Sequence, residues 1–166
     1  DEPLDGIITY LNGMDERNAY AIEVSGTFWN SPNVVTEMES TDFWSSSNSN
    51  DSWFMYDFKD HLINVTDYTI RGDNMGSLTN WSIEGSVDQK KWEVLDRHIN
   101  SDEMKGLYAT KSFKVKDSGK YRYIRIRQIA SINGDNYLNL CCFELFGSLS
   151  IDPRVLLYDI DSDSGF

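Results

Sequence analysis

The sequence predicts an all-β protein, built as an antiparallel sandwich or barrel, from three observations. Short stretches of β-branched and aromatic residues recur at roughly 8–12-residue spacing, with turn signals between them. No segment repeats apolar residues with the period of an amphipathic helix over three turns. The 166 residues are 40% hydrophobic and 13% aromatic, which is sufficient for one domain with its own core.

The strands are predicted from their alternation and from the turns that bound them. Gly6–Leu11 is apolar and β-branched and is followed by the turn signal Asn12-Gly13, which favours a leading strand. Trp53–Phe58 is almost entirely apolar or aromatic, which is typical of a central strand covered on both faces. Further strands are predicted at residues 21–24, 68–71, 81–86, 92–96, 110–115, 121–128 and 137–146.

Two stretches are predicted to be loops. Residues 27–33 carry Phe28 and Trp29 at the tip of the first loop, and residues 45–52 form a serine- and asparagine-rich loop with nothing to bury. Residues 34–41 fit either a strand or a short helix. The expected core consists of Trp53, Phe58, Ile70, Trp81, Ile83, Trp92, Ile124 and Ile126.

The charge of the chain restricts its partners. It has 15 Lys and Arg against 27 Asp and Glu, a net charge of −12. This acidity opposes non-specific binding to nucleic acid and electrostatic docking on anionic lipid, and no apolar run reaches the roughly 18 residues of a membrane span. Residues 90–127 are the exception, with eleven basic and five acidic side chains. This segregation is explained either by internal complementarity or by a surface that steers a partner.

The two cysteines, Cys141 and Cys142, are adjacent in the sequence. Neighbours on a strand point to opposite faces, so both are predicted to be free thiols. Secreted domains of this size often carry disulfides, and their absence favours a reducing compartment. We therefore expect a cytoplasmic protein, with the cytoskeleton or flagellum as specific settings and secretion as the less favoured alternative.

Several motifs resemble, in order and spacing, the discoidin or coagulation factor V/VIII type C domain. They are Trp53–Phe58, Tyr68–Gly72, Trp81–Trp92, Tyr121–Ile126 and Phe143–Gly147. The chain is thus divided into a discoidin-like domain, residues 1–149, and an acidic C-terminal tail, residues 150–166. Asp5–Leu11 and Trp92–His98 are most similar to the branch found with BTB-type adaptor proteins in single-celled eukaryotes.

The resemblance implies an eight-stranded antiparallel jelly-roll sandwich that binds sugars, lipid head groups or proteins through loops at one end, without catalysis. The sequence departs from the family at three points. Gln89 replaces a turn glycine, and the disulfide of secreted members is missing. Residues 35–38 replace an Ala-x-Asp-Gly motif associated with calcium, so we expect neither a metal nor another cofactor.

Three loops meet at one end of the sandwich in the family's topology, and here they correspond to residues 28–30, 73–77 and 131–136. The candidate ligand-binding residues are Phe28, Trp29, Asn30, Asn74, Met75, Arg127, Asn133, Asp135 and Asn136. Trp29 and Met75 would be the apolar anchors, and the amide and carboxylate side chains adaptable polar contacts. The alternative is that Phe28 and Trp29 fold back on the edge of the sandwich.

A second candidate surface is the strand face that carries Tyr123, Arg125 and Arg127. Arginine beside aromatic residues suits a protein interface. The alternative is an exposed sheet face on which the arginines pair with acidic residues of neighbouring strands, with Glu144 as one expected partner.

The leading functional interpretation is a non-catalytic intracellular module that docks a protein partner within a larger assembly. One alternative is a lectin-like domain with a glycan ligand held by Trp29, Arg127, Asn133 and Asp135. A second is a structural component of a cytoskeletal or flagellar assembly. Catalysis is disfavoured because His61 and His98 lie in no nucleophile or metal-ligand signature. Nucleic acid and membrane insertion are not expected.

Overall fold

The computed structural model describes residues 4–14, 18–116, 119–129 and 136–157. One short helix and eleven strands account for most of the regular structure of these residues. They are α1 (Ile7–Gly13), β1 (Ala21–Val24), β2 (Thr27–Trp29), β3 (Trp44–Ser46), β4 (Trp53–Asp57), β5 (His61–Arg71), β6 (Trp81–Ser86), β7 (Glu93–His98), β8 (Thr110–Lys114), β9 (Tyr123–Gln128), β10 (Asn139–Leu140) and β11 (Cys142–Ile151). A 3₁₀ helix spans Pro32–Thr36.

The strands form three antiparallel sheets. The first has five strands in the order β1-β4-β9-β6-β7, and the two others have three strands each, β10-β3-β2 and β11-β5-β8. The five-stranded sheet packs on β11, where the ring of Tyr56 stacks on that of Phe143 at 5.5 Å and its hydroxyl donates to the Phe143 carbonyl. The predicted all-β antiparallel jelly-roll sandwich is confirmed, with eleven strands among the described residues where eight were expected.

The core prediction is largely confirmed. Six of the eight expected residues are fully buried, namely Phe58, Ile70, Trp81, Ile83, Ile124 and Ile126. Trp53 and Trp92 are only half-buried. Trp53 begins β4 opposite Arg127, and Trp92 lies on the outer face of the sheet, where the Arg125 guanidinium stacks over its ring at 3.8 Å.

The prediction of a leading strand at Gly6–Leu11 is wrong, because this segment forms α1. The buried Glu144 carboxylate of β11 accepts hydrogen bonds from the backbone N–H groups of Ile8 and Thr9, at 2.9 and 3.1 Å. It thereby satisfies two of the donors that every helix leaves unpaired at its start. A side chain at Gly6 would collide with the carbonyl oxygen of Leu145, so the helix can approach β11 this closely only with glycine there.

The two predicted loops are also partly wrong. Thr27–Trp29 forms strand β2 and pairs with β3, and Trp44–Ser46 forms β3 with all three residues buried. The ambiguous segment after residue 33 contains the 3₁₀ helix. At the other end of the chain, β11 continues to Ile151, so the sheet extends two residues past the boundary drawn at residue 149. The tail from residue 158 onward lies outside the described residues.

Candidate ligand-binding rim

Strand β2 places two large aromatic side chains on the surface. Phe28 is 67% exposed and Trp29 is 59% exposed. The Phe28 ring contacts the ring of Tyr137 at 5.2 Å, while the backbone of Trp29 is paired with Ser45 of β3. Most of the surface of both rings therefore remains open to solvent, although Phe28 does lean on a neighbouring segment.

Asn30 closes the end of β2 and acts mainly as a turn residue. Its backbone has φ +67°, a conformation that asparagine tolerates better than most residues. Its side-chain oxygen accepts from the Ser31 N–H at 2.9 Å, and its amide donates to the Phe43 carbonyl at 3.4 Å. Asn30 therefore holds the end of the aromatic strand in place, and its exposed amide keeps one donor and one acceptor site.

The loop after β5 is organised by one buried carboxylate, that of Asp73. It accepts from the N–H groups of Met75 and Ser77 and from the Ser77 hydroxyl, at 3.0, 3.3 and 2.7 Å. Burial alone would raise the pKa of Asp73, but these hydrogen bonds and one from Asn139 outweigh it and hold that pKa below its ordinary value. Met75, at the tip, is 71% exposed, and Asn74 is exposed beside it.

A chain of hydrogen bonds connects this loop to β2. The Asn139 amide of β10 donates to the second Asp73 oxygen at 2.8 Å, and the Asn139 side-chain oxygen accepts from the Ser45 hydroxyl at 2.5 Å. Ser45 is the β3 residue that pairs with Trp29. The two predicted anchors, Trp29 and Met75, are therefore held on one continuous polar framework although 46 positions separate them in the sequence.

The third predicted loop is described only at its end. The Asn136 N–H donates to the Asn48 side-chain oxygen at 3.2 Å, which brings residue 136 beside the loop that follows β3. Tyr137, the next residue, contacts Phe28. Asn133 and Asp135 lie outside the described residues.

Arg127 is bonded to two carboxylates, one of which, Asp51, lies in the loop that follows β3. It lies on the outer face of the five-stranded sheet, where its Nε donates to Glu84 at 3.0 Å and its Nη1 donates to Asp51 at 2.8 Å. Arg125 bonds to the other Glu84 oxygen at 2.8 Å through Nε. Glu84, not the expected Glu144, is thus the acidic partner of this face, because Glu144 belongs to a different sheet and binds α1.

Sequence reasoning missed one residue of this surface, Leu107, which is 71% exposed. It lies in the connection between β7 and β8, which packs on the Met75 loop. The Tyr108 N–H donates to the Asp73 carbonyl at 2.9 Å, and Gly76 closely approaches the backbone of Gly106. A leucine directly after a glycine in a polar stretch was the available signal. We call the exposed side chains of Phe28, Trp29, Met75 and Leu107 the rim.

The rim offers apolar and aromatic contact area. Among the described residues there is no group of three or more His, Cys, Asp and Glu side chains placed to hold a metal ion. No helix among them is long and apolar enough to cross a bilayer. The chemistry that the described rim can perform is non-covalent recognition by packing.

Known structures share this architecture. One is CpGH89CBM32-5 from Clostridium perfringens, in complex with GalNAc-beta-1,3-galactose. It has a TM-score of 0.62 and 9% sequence identity, and the match covers 78% of this chain and 96% of that one. Another is the family 32 CBM of C. perfringens NanJ, in complex with galactose (TM-score 0.60, 9% identity, 80% and 95%). At these identities the likeness shows the fold.

In sequence, 95 residues are 32% identical to part of the E3 ubiquitin-protein ligase hecd-1 of Caenorhabditis elegans, covering 51% of this chain. The match spans only 3% of the length of the ligase. Residues 18–143 match the F5/8 type C domain, which is most of the 166-residue chain. The chain therefore belongs to the F5/8 type C, or discoidin, domain family.

Proposed function

We propose that this domain is a non-catalytic interaction module that docks a protein partner through the rim. The observation that carries the proposal is the exposure of Phe28 and Trp29 on a paired strand. Large aromatic side chains are enriched among the residues that dominate protein interfaces. Exposed apolar area is worth about 25 cal/mol per Å² when a partner covers it, so these rings supply a driving force for association.

The rigidity of the rim supports the same conclusion. β2 is paired to β3, and the Trp44 indole N–H donates to the Thr27 hydroxyl at 2.9 Å beneath the two aromatic residues. The Asp73 carboxylate fixes the Met75 loop in a similar way. A surface that is already ordered loses less conformational entropy on binding than a mobile one.

We further infer that the domain works inside the cell, as part of a larger protein. Burial raises the pKa of the Cys141 thiol to about 12 and that of the Cys142 thiol to about 11. Both cysteines are free, which suits a reducing compartment. The similarity to a short part of a very long ligase is consistent with a module that recruits a partner to a multidomain chain.

The test is affinity capture with matched variants. The wild-type chain, Trp29→Ala and the control Ile151→Ala are immobilised and exposed to extract of the source cells, and the retained proteins are quantified by mass spectrometry. Ile151 is exposed but lies at the opposite end of the β5–β11 pair from the Met75 loop. A partner retained by wild type and control but lost with Trp29→Ala supports the rim.

The identified partner is then titrated by calorimetry. We expect Trp29→Ala to weaken its affinity by more than about 1 kcal/mol and the Ile151→Ala control to leave it unchanged. Equal retention of all partners by the wild type and Trp29→Ala would contradict the proposal.

Carbohydrate binding is the second candidate. It is favoured by the exposed Trp29 ring, which offers a flat platform, and by the sugar complexes of the two C. perfringens structures. It ranks second because Arg127, the expected polar clamp, is already bonded to Glu84 and Asp51. A glycan array distinguishes the two: a defined glycan class that binds the wild type but not Trp29→Ala would establish the lectin function.

A further inference from the structure

The basic segment of the chain supplies two neighbouring edge strands of the sandwich, and the connection between them carries the rim residue Leu107. β7 and β8 are the open edge strands of two different sheets. They lie next to each other, because the ring of Phe113 in β8 is 4.6 Å from that of His98 in β7. A groove beside β7 is lined by Val94–Arg97 and by Lys116, which follows β8. Residues 90–127, which carry eleven of the fifteen basic side chains of the chain, supply both strands.

The cations of this side are exposed and available. Arg97, Lys111, Lys114 and Lys116 all face solvent. Within residues 4–14, 18–116, 119–129 and 136–157, none of these four side chains forms a salt bridge. Lys91, another exposed cation of the segment, does form one, with Glu93 at 3.4 Å. We call these four residues and the groove the basic edge.

The two acidic residues of β7 beside the groove, Asp96 and Glu93, already have partners. Two further carboxylates lie near this side: Glu103 is 3.3 Å from His98 Nδ1, and Asp67 is opposite Lys114 in the β5–β8 pair. The Asp96 carboxylate accepts from the Tyr68 hydroxyl at 2.6 Å and lies 3.0 Å from His98 Nε2. Glu93 is the residue paired with Lys91. The basic edge therefore presents positive charge on a molecule whose net charge is −12, together with an apolar contact at the exposed Val94.

We propose that the basic edge binds an acidic, extended polypeptide segment of a partner protein. Charge complementarity selects this occupant. Arg97 and Lys116 flank the exposed Val94 in the groove, and Lys111 and Lys114 add positive charge on the two faces of β8. This arrangement suits a segment that alternates acidic and apolar residues. The rest of the surface is acidic, which repels a long polyanion such as nucleic acid beyond the groove. The binding mode is side-chain contact with β7 and with Lys116, just after β8. β7 carries a bulge at Leu95 and β8 carries edge lysines, and both features oppose the addition of another strand.

The proposal is tested by fluorescence anisotropy with a labelled synthetic peptide of about a dozen alternating aspartate and leucine residues, at about 50 and about 300 mM salt. We expect binding that weakens at high salt and that is lost with the asparagine–leucine analogue. Arg97→Glu with Lys116→Glu should weaken binding by about tenfold or more. The matched control, Lys105→Glu with Lys120→Glu, changes the net charge equally and should alter the affinity by less than about twofold.

Several outcomes would overturn the proposal: no binding at low salt, equal losses in the two double variants, or tighter binding of a heparin fragment than of the peptide. Circular dichroism checks the fold, and Arg97→Gln with Lys116→Gln replaces the reversal variant if that variant does not fold. Trp29→Ala should leave peptide binding unchanged. A failure of the basic edge is therefore distinguishable from a failure of the rim.

Discussion

Trp81 and Trp29 show how two regions of the molecule use the same side chain in opposite ways. Trp81 of β6 is fully buried, donates its indole N–H to the Tyr68 hydroxyl at 3.0 Å, and stacks on His98 at 4.4 Å. Trp29 of β2 is more than half exposed, although its backbone is paired with Ser45 of β3. The sandwich buries the apolar surface of its aromatic residues, whereas the rim leaves that surface exposed to solvent.

The most direct way to break this comparison is to truncate both tryptophans. Trp81→Ala removes a fully buried side chain and leaves the Tyr68 hydroxyl without its donor, so we expect it to lower the free energy of unfolding by about 3–5 kcal/mol. Trp29→Ala should lower it by less than about 0.5 kcal/mol. Urea denaturation followed by fluorescence measures both, with Trp81→Phe as a milder substitute. A large loss of unfolding free energy in Trp29→Ala would show that Trp29 contributes to the core.

The next largest effect is expected where α1 joins the sandwich. Glu144→Gln replaces an oxygen that accepts from Thr9, and it removes the charge that strengthens the bond from the Ile8 N–H. We expect a loss of about 2–3 kcal/mol, because hydrogen bonds to a buried charged group are the strong ones. Hydrogen exchange should show faster exchange at the Ile8 and Thr9 amides. Unchanged protection there would mean that packing alone holds the helix.

A smaller, pH-dependent effect is expected on the outer face of the five-stranded sheet. Burial would raise the pKa of Glu84, but hydrogen bonds from Ser82 and Arg125, with the charge of Arg125, hold that pKa below its ordinary value. A carboxyl whose pKa is depressed by folding stabilises the protein above its unfolded pKa, about 4.3. That stability is lost as the pH falls through the folded value.

Glu84→Gln should therefore cost about 1–2 kcal/mol at neutral pH, and the difference from wild type should shrink in acid. Urea denaturation at neutral and acidic pH measures this. The control is Glu93→Gln, whose partner Lys91 is an exposed surface cation and whose loss should be under about 0.5 kcal/mol. A cost for Glu84→Gln that does not depend on pH would show that shape, not charge, matters at this site.

The smallest effect expected for a buried carboxylate, and the one that tests the comparison most closely, concerns Asp73. It is buried and would not touch a partner, yet its carboxylate orders the loop of Met75. Asp73→Asn should cost about 0.5–1.5 kcal/mol while also weakening the binding of a rim partner. Glu23→Gln, on the exposed side of β1, serves as the control. A loss of stability in Asp73→Asn without any loss of partner affinity would show that the Met75 loop is not part of the interface.

The sandwich was readable from the sequence because its strands follow local rules. Ile124 and Ile126 alternate inward, and Trp53–Phe58 is apolar on both sides, so neither needs knowledge of a distant neighbour. The helix at Ile7–Gly13 could not be predicted in this way. Its N-cap residue, Gly6, offers no side-chain acceptor, and the acceptor that takes its place is Glu144, which lies 136 positions away from Ile8.

The candidate site shows the same limit. The exposure of Phe28, Trp29 and Met75 was predictable because bulky apolar residues stood among polar ones. The pairing of Arg127 with Glu84 was not, since it depends on which strand lies beside β9. Leu107 was missed because only the fold brings its segment against the loop of Asp73.

The rate at which reagents label the adjacent buried thiols should report how often this part of the domain opens. Thiol reagents attack the thiolate, and both Cys141 and Cys142 are buried with a raised pKa. Labelling must therefore wait for the backbone to open where Cys141 donates its N–H to the Arg71 carbonyl at 2.9 Å. Arg71 lies two residues before Asp73, so the labelling rate records how often the support of the Met75 loop opens. A molecule bound to that loop would lower the labelling rate of both cysteines without contacting either sulfur.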